Sequence, residues 1–540
     1  MSNIIRQPCD EGVLRSGKAG APCAPNVGPW VLAATILGSS MAFIDGSVVN
    51  IALPAIQEDL GATAVDAQWI VESYALFLAA LILVGGSLGD HLGRRRIFAL
   101  GVVIFALSSV WCGLAGSPNQ LIVARAVQGI GGALLVPGSL AIISAAFEGD
   151  RRGKAIGTWA GFTGITSVLG PVLGGYMVEH LSWRWVFFIN VPLAIAVLAI
   201  TLTHVPESRD EEARRLDPLG AVLATLALGG LVYGLLESSN RGLGDPLVLG
   251  ALVIGVAMLV AFVVTEARIA EPMLPLNLFR SRNFTGANLF TLFLYFGLGG
   301  ALYYFPFNLI QVQGYSATVA GAAFMPAIVL MFFLSRYTGA LTDRFGARLP
   351  LVLGPTLAAV GFALFALPGI GGSYWTTFFP AVVVMGLGLS VVVPALTTVA
   401  LNSVQGHHSG LASGVNNAVS RVASLLAIAV LGVVMFTTFS SAMDARITSL
   451  DMPPEASATL EEEKVYLAGA EVPEGVGEEE AAAIKRAIDE SFVAGFRVVM
   501  LIAAGLAIAS AVAAAILIEG KGSIQKVAES ERTEAGTAPA

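Results

Sequence analysis

The sequence predicts an all-α polytopic membrane protein with fourteen spanning helices, and three observations lead there. Only 13% of the 540 residues are charged, about half the share that a soluble globular chain carries. Mean hydropathy is +0.77. Apolar runs of about 18 residues or more recur along the whole chain, which is the pattern of spanning helices.

Taken in order between polar turns, the apolar runs lie at 30–52, 67–88, 97–115, 120–147, 154–179, 185–205, 216–236, 246–265, 284–310, 318–338, 350–367, 374–398, 411–438 and 493–518. A polar tail, 1–29, precedes the first run and lacks the apolar core of a cleavable signal, so the first helix is expected to act as an uncleaved signal-anchor. An even number of spans puts both termini on one side. With both tails cytoplasmic, twenty Lys and Arg fall on inner segments and six on outer ones, so the positive-inside rule places the tails in the cytoplasm of a cell whose inner membrane the chain crosses.

The net charge of −8 is local. Residues 444–490 carry thirteen acidic and four basic side chains, which leaves the membrane body near neutrality. These residues fall in an acidic outer loop, 439–492, whose last part, "EGVGEEEAAAIKRAIDESF", has helical spacing and is expected to form a short amphipathic cap. Cys9, Cys23 and Cys112 make no disulfide framework.

One repeat organises the chain. "GSLGDHLGRRR" at 86–96 returns as "GALTDRFGARL" at 339–349, after the second and tenth helices. Parallel repeats of this kind build many transporters. The spacing predicts two six-helix bundles, 30–205 and 284–518, with two further helices inserted in 206–283 and a cytoplasmic tail at 519–540.

The pattern G-x-L-x-D-x-x-G-R-R-R at 86–96 resembles the loop 2–3 motif of the major facilitator superfamily. "LIVARAVQGIGGA" (121–133) is similar to its fourth-helix motif, and "GITSVLGPVLGG" (164–175) to the antiporter motif of its fifth helix. "SWRWVFFINVP" (182–192) and "DGSVVNIALP" (45–54) resemble the fourteen-helix drug:proton antiporter branch, the QacA/EmrB type. The resemblance covers roughly residues 30 to 520. It implies the major facilitator fold, export in exchange for protons, and no cofactor. It also implies a conformational lock at Gly86, Asp90, Gly93 and Arg94, echoed by Asp343 and Arg348 in the second copy, where Ala347 interrupts the pattern. Gly164, Gly170, Pro171, Gly174 and Gly175 form the antiporter motif.

Read from the residues alone, the fifth helix repeats glycine at 153, 157 and 161, which makes a smooth ridge for close helix packing. Pro171 removes a backbone donor and is expected to bend it. The ridge is either a packing surface alone or the surface along which the halves rock.

Asp45 stands in an otherwise apolar run. A carboxylate in a spanning helix costs about 2.5–3.5 kcal/mol on insertion scales, so it is expected to have a partner or a proton. Counting from the outer end of each helix puts Asp45 at a depth of about 13 Å, and Glu72 and Arg125 at about 8 Å. The expectation is that Asp45 is the main proton site, Arg125 its modulator, and Glu72 a second acid or a substrate anion. The plainer alternatives are a structural Asp45 near Asn50, a solvated Glu72, and an Arg125 tied to backbone carbonyls. Asn50, Gln128, Tyr303, Tyr304 and Phe307 are candidates for a substrate cavity, although an interfacial aromatic belt explains the last three equally well.

Other classes fit poorly. His91, His180, His204, His407 and His408 make no metal-ligand spacing, and no Walker loop, nucleophile elbow or nucleic-acid motif is present. The expected partners are a small-molecule substrate, protons and the lipid bilayer. Neither the substrate nor the need for a periplasmic adaptor is written in the sequence.

Overall fold

The computed structural model describes residues 27–147, 149–209, 217–269, 272, 274–402, 409–448, 454–473 and 475–519. The tails at 1–26 and 520–540 lie outside them, as do the side chains of Asp343 and the placement detail of Gly164. Every described element is helical. In chain order the long helices are α1 Gly28–Leu60, α2 Ala64–Leu92, α3 Arg94–Gly113, α4 Pro118–Ala146 and α5 Gly149–His180. They continue with α6 Trp185–His204, α7 Pro218–Arg241, α8 Pro246–Glu266 and α9 Arg282–Phe307. α10 comes in two pieces, Ala317–Ala322 and Met325–Phe345, and is followed by α11 Arg348–Phe365, α12 Phe379–Asn402, α13 Ser409–Ile447 and α14 Glu478–Leu517. Among the described residues thirteen helices are long and apolar enough to cross a membrane, so this is a multi-pass membrane protein. The fifth expected span is helical as α5 but is not among the thirteen.

Local chemistry sets the helix starts. Ser117–Pro118, Asp217–Pro218 and Asp245–Pro246 each pair a capping acceptor with a proline that needs no donor at the first turn. Thr63 and Asp66 cap α2 reciprocally: the Asp66 N–H donates to Thr63 Oγ1 at 3.1 Å, and the Thr63 N–H to Asp66 Oδ2 at 2.9 Å.

Three spans run longer than their apolar stretches. α1 continues through Pro54 to Leu60, so Asp45 lies near the middle of a 33-residue helix rather than in its outer half. α13 and α14 extend to Ile447 and back to Glu478, well into the acidic stretch. The expected amphipathic cap is therefore the first part of α14, not a separate helix. Glu490 accepts from both Arg446 (3.3 Å) and Arg486 (2.9 Å), which ties the two extensions together. A short helix, Pro454–Glu463, and a 3-10 turn, Lys464–Gly469, lie between them.

The chain clusters into two compact units. The first comprises 1–273, 306–322 and 451–485, and the second 274–305, 323–450 and 486–540. In the first, α4 packs against α2 and α3, α1 against α5 and α6, and α7 against α2 and α8. Its core joins Val31 and Met41 of α1 to Phe98 and Phe105 of α3 and Val197 of α6. In the second, α12 packs on α11 and α10, while glycines of α9 lie against α13 and α14.

Close helix approach rests on glycine. A Cβ at Gly131 of α4 would stand 2.6 Å from the Phe105 backbone nitrogen of α3. Backbone cannot swing aside, so Gly131→Leu is expected to destabilise by at least the overpacking range of about 1–3 kcal/mol. Gly157→Ala, where nothing lies within 4 Å, should be neutral or mildly stabilising. Thermal unfolding in detergent, followed by the monodisperse fraction, separates the two.

Candidate functional site

Arg125 and Gln128 lie three residues apart on α4 and so share one helix face. Asp45 of α1 meets them there. Arg125 Nη1 donates to Asp45 Oδ2 and, at 2.6 Å, to Gln128 Oε1. Gln128 Nε2 donates to Asp45 Oδ1 at 2.8 Å and to Ser109 Oγ of α3 at 2.7 Å. Asn190 of α6 closes the ring, its Nδ2 donating to Ser109 Oγ at 3.0 Å and to Asp45 Oδ1 at 3.4 Å. Asp45, Gln128 and Asn190 are fully buried, and Arg125 is 1% exposed.

The rest of the guanidinium is also engaged. Arg125 Nε donates to the Ile70 carbonyl of α2 at 3.1 Å, and Cζ lies 4.3 Å from the centroid of the Tyr74 ring. α2 comes this close because Gly129 of α4 has no side chain to strike the Tyr74 carbonyl. In "ARAVQGIGG", the polar pair makes the site and the glycines admit the helices that surround it. Cys112 donates weakly to Gln128 Oε1 at 3.6 Å and is otherwise part of the packing.

Glu72 does not join this network. It is fully buried on α2, and neither carboxyl oxygen has a hydrogen-bond partner among the described residues. Asn50 likewise has a buried Oδ1 without a partner. Tyr303 and Tyr304 are buried edge to face, with centroids 4.8 Å apart, and Phe307 is 6% exposed. Phe305 between them packs against Phe324, Phe365 and Phe378 of the second unit.

The loop between α2 and α3 is held within its own unit. Arg94 bonds Asp90 one turn away, with both Nε and Nη2 at 2.8 Å from Oδ1. Glu207, just after α6, accepts from the Arg95 N–H at 3.0 Å and faces Arg95 and Arg96. Gly93, at φ +111°, makes the turn, and any Cβ there would lie 2.7 Å from Glu207. A Cβ at Gly86 would stand 3.5 Å from Pro137, an ordinary contact. In the second copy Arg348 donates to the Ala515 carbonyl of α14.

The fifth-helix glycines divide into two sets. Gly157 and Gly161 have open space before them among the described residues. Gly170 and Gly174 lie against Ser47 and Val48 of α1, one turn from Asp45. Gly175 lies against the Ala317 carbonyl, and Gly321 returns the fit against the Pro171 carbonyl. Glu179 accepts from the Thr318 N–H at 3.1 Å, which caps the first piece of α10.

Sequence reasoning gave no role to Ser109, Asn190 or Glu207. Asn190 carried a signal, since it is an amide at the start of an apolar helix. Glu207 carried one too, as an acid opposite three arginines.

Residues 35–428 match the Major Facilitator Superfamily. The chain belongs to that superfamily. Among its relatives, the tetracenomycin C resistance and export protein of Streptomyces glaucescens is 33% identical over 92% of this chain and 94% of that one. The multidrug resistance protein Stp of Mycobacterium tuberculosis is 33% identical over 87% and 88%, and the puromycin resistance protein pur8 of Streptomyces alboniger is 36% identical over 75% and 81%. The inward-facing, unoccupied crystal structure of a bacterial homologue of the human lysosomal transporter Spinster shares the superfamily fold at a TM-score of 0.63. It is 20% identical and covers 91% of this chain and 98% of that one.

The Asp45–Arg125 pair of this superfamily member gives an asymmetric prediction. Arg125→Ala leaves a buried carboxylate without its counter-charge and is expected to cost about 3–5 kcal/mol. Adding Asp45→Asn should recover part of that loss, because no unpaired charge then remains. Thermal unfolding of the two single variants and the double variant measures the coupling.

Proposed function

We propose that the protein is a proton-coupled antiporter exporting small hydrophobic or cationic compounds across the bacterial cytoplasmic membrane by alternating access. The observation that carries this is the fully buried Asp45–Arg125–Gln128 network in the interior of spanning helices. Intramembrane ionisable groups of this kind mark proton relays. The printed names of the relatives, which concern resistance and export of antibiotics, favour outward transport.

On this reading Asp45 takes a proton from the extracytoplasmic side. Protonation removes the charge that Arg125 faces, and the guanidinium is left to Gln128 and the Ile70 carbonyl. The change falls on α1 one turn from Ser47 and Val48, the residues that seat the antiporter-motif glycines. Proton binding is thereby linked to the seam between α1, α5 and the first piece of α10. Each proton entering adds about 2.3 kcal/mol per 100 mV of membrane potential.

Both termini lie in the cytoplasm, and the α2–α3 loop with Asp90, Arg94 and Glu207 is a cytoplasmic clamp. The bundles span 30–205 and 284–518, with the α7–α8 pair inserted between them. Asn50, Gln128 and Phe307 of the first unit are proposed cargo contacts, as are, in the second unit, Tyr303 and Tyr304. No cofactor is required, since the driving ion is the proton. A dedicated exporter of one metabolite, antibiotic or siderophore is the second reading, favoured by the single-compound names of two relatives.

Inside-out vesicles energised by respiration are expected to accumulate a lipophilic cationic dye, and an uncoupler that collapses the whole proton-motive force should abolish it. Asp45→Asn should fall to background at normal insertion. Normal dye uptake by Asp45→Asn would move the proton site elsewhere. A wild type that ignores every dye would leave the dedicated exporter.

A further inference from the structure

The Asp45 network leaves one buried acid unused. Glu72 is fully buried, and neither of its carboxyl oxygens has a hydrogen-bond partner among the described residues. An isolated charge is costly to hold in such a place.

Its position on α2 shows what it sits against. Successive helical residues turn by about 100°. Ile70 and Tyr74, whose carbonyl and ring hold Arg125, lie two residues to either side of Glu72 and therefore on the opposite side of the helix. Trp69 and Leu76, three before and four after, share its flank. Both of these touch α7, the first inserted helix. Trp69 Nε1 donates to Glu237 at 3.1 Å, and the Trp69 ring lies 6.1 Å from that of Tyr233. Leu76 Cδ2 lies 3.8 Å from where a Cβ of Gly229 would stand. α7 also packs on α8, whose Val253, Ile254 and Val260 are exposed as lipid-facing side chains would be. The inserted pair thus covers the flank of α2 that bears Glu72.

We propose that Glu72 is a second proton-binding site, walled by the first inserted helix and separate from Asp45, so that each cycle carries two protons. The ionisable groups on the elements packed around α2 are Tyr233, Glu237 and Arg241 of α7, Asp45, Glu58 and Asp59 of α1, Arg94, Arg95, Arg96 and Cys112 of α3, Arg125 of α4, and Lys464 and Tyr466 of the 3-10 turn. Asp45 and Arg125 hold each other, Glu237 is held by Trp69 and Arg241, and Lys464 by Glu461. The proton enters on the carboxylate oxygen from the extracytoplasmic side and leaves the same atom to the cytoplasm. This inference rests on the proposed proton antiport for its effect on transport, but not for the existence of the site.

Two measurements on the full-length protein in lipid decide it. The first is the infrared difference spectrum across a pH titration from acidic to alkaline. An acid without hydrogen bonds gives the carboxylic C=O band of highest frequency. That band is expected in wild type and Asp45→Asn, absent in Glu72→Gln, and moved in Trp69→Ala, which loosens the wall. A spectrum unchanged in Glu72→Gln overturns the site, and a band unmoved in Trp69→Ala overturns the wall.

The second is ethidium transport in proteoliposomes under a membrane potential alone. Two protons exchanged for one monovalent cation move one net charge, so about 100 mV should change the wild-type accumulation ratio roughly 50-fold. Glu72→Gln should keep transport driven by a pH gradient and lose this response. An undiminished response in Glu72→Gln overturns the two-proton cycle. Should wild type move no ethidium, the cationic-cargo reading fails, while the infrared band still decides whether Glu72 is a proton site.

Discussion

Asp45 and Arg125 are both out of water, and that pairing imposes conditions which the neighbouring helices have to meet. Two ions cost several kcal/mol each to bury, and their attraction offsets this only when the remaining donors and acceptors are also used. Arg125 therefore needs a backbone carbonyl, which Ile70 supplies, and a ring face, which Tyr74 supplies. Asp45 needs a second donor, which is Gln128, and Gln128 in turn is satisfied by Ser109. With Asn190 of α6 bonded to Ser109 and Asp45, five helices are drawn to one point, and α2 must lie close enough to α4 for a carbonyl to reach a guanidinium.

That closeness accounts for much of the glycine in the first unit. Gly129 and Gly131 let α2 and α3 approach α4 on two sides. The fifth helix uses the same device for a different purpose. Gly170 and Gly174 seat α1, while Gly175 and Gly321 exchange close contacts with the first piece of α10. Without a hydrophobic driving force between helices in lipid, such backbone-level packing is the principal source of association.

Much of this was legible beforehand. Thirteen of the fourteen apolar runs correspond, among the described residues, to helices long and apolar enough to span, and the fifth is helical too, because a membrane admits few other structures. Asp45 and Arg125 were legible as a pair because an intramembrane charge is costly enough to require a partner. Glu72 was read as a third member of their group, since depth along a helix can be counted from the chain ends. Its azimuth could not be counted without knowing which face of α2 meets α4, and that face turns Glu72 away. The ends of α1, α13 and α14 were misjudged because hydropathy registers where lipid ends, and a helix continues beyond it wherever its hydrogen bonds persist. Glu207 was missed because its partners lie more than a hundred residues away in the chain.

The same α2 helix now carries two opposite treatments of polar groups. One side offers a carbonyl and a ring to a charge that is fully satisfied, and the other buries an acid that has nothing to bond. A satisfied ion pair resists change, since breaking it exposes two charges at once. An unsatisfied acid disturbs no partner when its proton moves, but it gives that proton up only where water or a counter-charge reaches it. α1 is where a change in the first kind of site would be felt. It runs unbroken through Pro54, and the turn after Asp45 seats the glycines of α5. A shift in Asp45 charge thus acts on a rigid element with two packed neighbours, which is the condition for a local event to select between discrete arrangements. Glu72 has no such lever. It can add a proton to the cycle without adding a second switch.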